Sequence, residues 1–149
     1  MPETTASLFG APETWADLQI ELNSVHPLWG GQIIRLSGPG HCSVRRVAPG
    51  KTFEQRYSFA LSAAETRAIF HAFMAHDVCA IAPDHTTPIA PDTVANQITI
   101  SRGERSHQLL IWGDHPQDPI LRELLNSLVR LKALTSGMTA VYVGPYRES

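Results

Sequence analysis

The sequence predicts an α+β domain: a mostly antiparallel sheet of about five to seven strands, with two amphipathic helices packed on one face. Three observations predict it. Short segments with a two-residue hydrophobic period follow one another between residues 15 and 61, separated by tight Gly- and Pro-containing turns. Two segments with helical spacing open on strong start signals, at Ser62 and at Asp118-Pro119. A further hairpin lies between those helices, so strands and helices do not alternate as a parallel βαβ sheet requires.

Residues 1–13 read as a flexible N-terminal arm, 14–137 as a single domain and 138–149 as a C-terminal tail that would supply an edge strand. After Trp15, Leu18, Ile20 and Leu22 alternate with Asp17, Gln19, Glu21 and Asn23, the pattern of a half-buried strand. His26-Pro27-Leu28-Trp29-Gly30-Gly31 breaks it. Gln32 to Ser37 and Cys42 to Val47 are the next extended segments, joined by a Gly38-Pro39-Gly40 turn. Pro49-Gly50 turns the chain into Phe53–Leu61, with Phe53, Tyr57, Phe59 and Leu61 on one face. Consecutive strands with such short connections form a meander.

Ser62-Ala63-Ala64-Glu65 matches the capping box, and Ile69, Phe70, Phe73 and Met74 supply the inward stripe of a helix ending near His76-Asp77. Val78 to Ile81 reads as a short buried strand or docking segment. Pro83, Pro88 and Pro91 exclude helix and central strand from 83–93. Asn96–Ser101 and Ser106–Trp112 form a hairpin about an Arg102-Gly103-Glu104 turn. In the last helix Leu121, Leu124, Leu125, Leu128 and Leu131 face inward, with Arg130 and Lys132 at the end that favours cations.

Composition excludes several functions. With 43% hydrophobic and 17% charged residues the chain is globular rather than disordered. A net charge of −2 without a basic run gives no extended footprint for nucleic acid. Met1-Pro2-Glu3-Thr4-Thr5 lacks the basic and apolar regions of an export signal, and no run reaches a membrane-spanning length. Cytoplasmic location and two free thiols, Cys42 and Cys79, are the corresponding expectations.

Chemistry-bearing patterns are few. His71 and His76 lie about 140° apart around their helix and cannot share one ion. Gly38-Pro39-Gly40 lacks the third glycine and the following helix of a phosphate loop. His41 and Cys42 are strand neighbours that point to opposite faces, so they make no nucleophile–base pair. No cofactor and no metal is expected from these spacings. Asp84, His85 and Asp92 in the proline-rich loop, with His115 after the hairpin, are the candidate catalytic group if they converge.

Arg35, Arg45 or Arg46, and Arg56 fall on three successive strands and would line up across the outer sheet face as a small anion- or acid-binding patch, with Glu54 and Glu21 near enough to balance them. Trp29 at a turn adds an aromatic of the kind interfaces favour. Trp29, Arg35, Arg46 and Arg56 are therefore the expected partner-binding residues of a non-enzymatic interaction domain that binds a protein or a second copy of itself. A small hydrolase or ligand-binding protein centred on 83–93 is the alternative. The order of strands, helix, hairpin and helix is similar in layout to small inhibitor and immunity-type domains, and layout carries no function.

Overall fold

A strand with apolar residues at alternate positions is stable in water only when that face is covered. In the computed structural model, which describes residues 4–81, 94–113 and 118–148, helices cover one face and leave the other open. The strands are β1 (Leu18–Asn23), β2 (Gly31–Ser37), β3 (His41–Val47), β4 (Glu54–Ala60), β5 (Ala95–Arg102), β6 (Arg105–Trp112) and β7 (Tyr142–Gly144). The helices are α1 (Thr5–Phe9), α2 (Ala63–Ala75) and α3 (Pro119–Ala133). Among the described residues the strands form one antiparallel sheet in the order β6-β5-β1-β2-β3-β4-β7. The fold is α+β, as the patterning requires.

β1 sits inside the sheet because the hairpin of β5 and β6 returns to its free side, pairing Ile20 with Ile100 and Leu22 with Ile98. On its other side Leu22 faces Ile34 and Ile20 faces Leu36. These side chains, with Cys42, Val44, Leu109 and Ile111, meet Phe70 and Phe73 of α2 and Leu121, Leu124, Leu125, Leu128 and Leu131 of α3 in one core. Each such burial stabilises the fold by roughly 1.5–3 kcal/mol before chain entropy is subtracted.

The helix starts follow their caps. Ser62 Oγ accepts the Glu65 amide at 3.1 Å, and the Glu65 carboxylate accepts the Ser62 hydroxyl at 2.9 Å rather than the cap amide. Asp118 accepts the Ile120 amide at 2.8 Å, and Pro119 occupies the first helical position. His76 is the C-cap of α2, and its Nε2 meets Glu123 of α3 at 3.0 Å.

Of the two readings of 78–81, the docking segment holds: Val78–Ala80 is a single 3-10 turn that buries Val78 in the core. Three expectations are corrected. Residues 4–13 are not a flexible arm: Thr4 caps α1, and Leu8 and Phe9 are fully buried in the core. Phe53 precedes β4 and is exposed, whereas Tyr57, Phe59 and Leu61 do pack inward. Arg46 faces the helices. Two residues beyond Val44, it shares the inward parity of Cys42 and Val44.

Cys42 is in the core, and burial pushes its thiol up to about 12, so it carries no thiolate at neutral pH. A thiol reagent at pH 8 is expected to leave Cys42 unmodified in the folded protein and to modify it in 6 M guanidinium, read by mass spectrometry of its peptide.

Candidate functional site

Strand parity assigns the residues of the open face. On β1 they are Gln19, Glu21 and Asn23; on β2, Ile33, Arg35 and Ser37; on β3, Ser43 and Arg45; on β4, Glu54, Arg56 and Ser58. Cross-strand registers put Arg35 beside Glu21 and Ser43, and Arg45 beside Arg56. The result is a groove of about 500 Å³ whose lining includes Arg35, Arg45, Lys51, Arg56, Ser43 and Ser58. Glu21 and Glu148 are its carboxylates, and Tyr146 forms part of its wall.

Two guanidinium groups side by side on adjacent strands repel unless an anion lies between them. Glu54 supplies it. Its side chain is 0% exposed, and Arg45 binds it through both Nε and Nη2 at 3.0 Å each, a bidentate pair. Arg56 Nε donates to the same carboxylate at 2.6 Å, and the Arg147 amide donates at 2.6 Å. Burial alone pushes the Glu54 carboxyl up. The hydrogen bonds from Arg45, Arg56 and the Arg147 amide, with the Arg45 charge, more than reverse that and hold it at about 2. One buried anion thus fixes two cations at the groove floor and leaves an excess of positive charge.

Arg35 is held differently. Its Nη2 meets Glu21 at 3.0 Å, and its side chain is 54% exposed, so solvent screens the pair and the guanidinium is free to change partner. Ser58 Oγ lies 3.3 Å from His41 Nε2 on the same open face. Among the described residues no carboxylate is hydrogen-bonded to His41, so the pair lacks the group that would orient the imidazole as a base.

Trp29 lies in the turn between β1 and β2. His26 and Gly30 exchange backbone hydrogen bonds of 2.9 Å, and His26 Nδ1 accepts the Leu28 amide at 3.0 Å. Gly30 has φ +76°, and a Cβ there would lie 2.2 Å from the Val47 carbonyl oxygen, so only glycine fits. This closed turn presents Leu28 and Trp29 at 64% and 62% exposure, beside the loop that carries Lys51. Large apolar side chains held out by a rigid turn suit an anchor, because little entropy is lost when they are covered.

Of the four expected partner-binding residues, the structure thus brings Arg35 and Arg56 to one groove and leaves Trp29 exposed in the β1–β2 turn. Arg46 is not with them. Its Nη2 donates to Thr135 Oγ1 at 2.7 Å and to the Lys132 carbonyl at 3.3 Å, closing the C-terminus of α3. Arg45 takes its place. Asp84, His85, Asp92 and His115 lie outside the described residues. Among the described residues no group of three or more His, Cys, Asp or Glu side chains is placed to hold a metal ion.

Reading the strands one by one missed Lys51 and Tyr146. One compositional signal was available: the chain has two lysines against ten arginines, and interfaces favour arginine over lysine. No helix among the described residues is long and apolar enough to cross a membrane. No protein-family model matches the chain, and no curated protein matches its sequence.

Proposed function

We propose that the chain is a non-enzymatic binding domain whose open sheet face receives an acidic segment of a protein partner. One observation carries this reading: a sheet face left uncovered by helices holds a groove where Arg35, Arg45, Lys51 and Arg56 outnumber the lining carboxylates Glu21 and Glu148. Charge complementarity of this kind steers a partner and fixes its register. Arg35 is the recognition residue, because it is the exposed cation that can exchange Glu21 for a partner carboxylate. Ser43 and Ser58 offer hydroxyl donors along the same line, and Leu28 and Trp29 offer an exposed apolar anchor in the β1–β2 turn.

A protein partner is favoured over nucleic acid by the net charge of −2 and the lack of a basic run. The same reading takes the cytoplasm as the working compartment, supported by Cys42 and Cys79 not being joined in a disulfide.

Hexaglutamate at low ionic strength is the probe that tests it. The protein is expected to bind it with an affinity that falls as salt rises, and Arg35→Glu is expected to weaken binding about tenfold or more. Isothermal titration calorimetry reads both. Equal affinity for the two proteins would contradict the reading.

A further inference from the structure

One wall of the groove is the chain's own C-terminal segment, which contacts the same cations. β7 pairs with the edge of β4, setting Val143 opposite Gln55 and Tyr142 opposite Arg56. From there the chain crosses the open face. The Tyr146 ring lies under the Arg45 guanidinium at 5.2 Å and 5.6 Å from Lys51 Nζ. The Arg147 amide donates to Glu54 at 2.6 Å, and its carbonyl accepts from Arg45. Glu148 then puts a carboxylate at the groove.

These contacts are of the kind a bound peptide segment makes: a carboxylate in the groove lining, an aromatic ring on guanidinium and ammonium, and a main-chain amide on the buried anion. We infer that residues 141–148 are a built-in competitor for the groove, and that an acidic partner segment enters by displacing them. The inference rests on the proposed binding face.

Three features make release feasible. None of residues 141–148 is buried, so lifting them does not open the core. Their sheet pairing covers three residues at an edge. Glu54 keeps Arg45 and Arg56 when the Arg147 amide leaves, so the groove floor stays built. Residues 137–140 supply a hinge, with Gly137 at φ +81° and open space around it.

The test uses the full chain, hexaglutamate as probe, and two readouts. Tyr146→Ala removes the ring from both cations, and its affinity for hexaglutamate is expected to rise about fivefold. In the unmutated protein, the Arg147 amide is expected to exchange faster with solvent at saturating hexaglutamate, followed by NMR. Equal or weaker affinity of Tyr146→Ala, with the Arg147 amide still protected in the bound protein, overturns the competitor while leaving the binding face standing. No binding to either protein overturns both.

Discussion

Glu54→Gln is expected to destabilise the protein by about 3 kcal/mol at pH 7, the low end of the cost of breaking a buried ion pair. The low end applies because the two guanidinium groups left behind are partly solvated, at 14% and 22% exposure. Glutamine keeps the shape of the side chain but leaves Arg45 and Arg56 facing each other across a neutral amide. Urea unfolding followed by circular dichroism measures the loss. A change under 1 kcal/mol would mean that the cluster is only a surface arrangement.

The same residue sets an acid limit. Its carboxyl titrates at about 2 in the folded chain against an ordinary 4.5. A group with a depressed folded pKa contributes stability that is complete above its unfolded value and is lost as pH falls through the folded one. Stability is therefore expected to drain between pH 4.5 and 2, by about 3 kcal/mol from this group. In Glu54→Gln that part of the pH dependence disappears, so wild type and variant converge near pH 2.

Phe9→Ala is expected to cost about 3–5 kcal/mol, the range for truncating a buried phenylalanine. Phe9 is fully buried, with its ring 6.3 Å from that of Trp15, and Trp15 in turn lies 5.5 Å from Phe70 of α2. Removing the ring opens a cavity between the N-terminal helix and the core. A flexible arm would show no measurable change, so thermal and urea unfolding of this variant separate the two descriptions sharply.

The arm was misread because its signal is short. Thr4 and the Leu8-Phe9 pair make one helical turn, too brief to show a period, and the burial comes from contacts with residues remote in sequence. The Thr5 hydroxyl, for example, donates to Asp77 at 2.6 Å. By contrast, α3 was legible throughout, since its five inward leucines repeat at helical spacing behind an Asp-Pro start. The hairpin of β5 and β6 was legible for the same local reason, with Gly103 at φ +60° at its tip.

At the site, strand parity decided what residue type alone left open. Cys42 and Val44 point inward, which sends Arg45 outward and Arg46 to the helices, so the choice between them was present in the sequence. Glu54 was not legible as a hub. Its donors Arg45, Arg56 and Arg147 lie 9, 2 and 93 positions away, and only the folded sheet and the returning tail bring them together.

The most direct measurement is a map of the amides that shift when hexaglutamate is titrated into the 15N-labelled full chain. If the open face receives acidic segments, the shifts concentrate at Glu21, Arg35, Ser43, Arg56 and Ser58, and the core leucines of α3 stay still. Shifts confined to the helix-covered side, around Arg130 and Lys132, or no shifts at low salt, would contradict it.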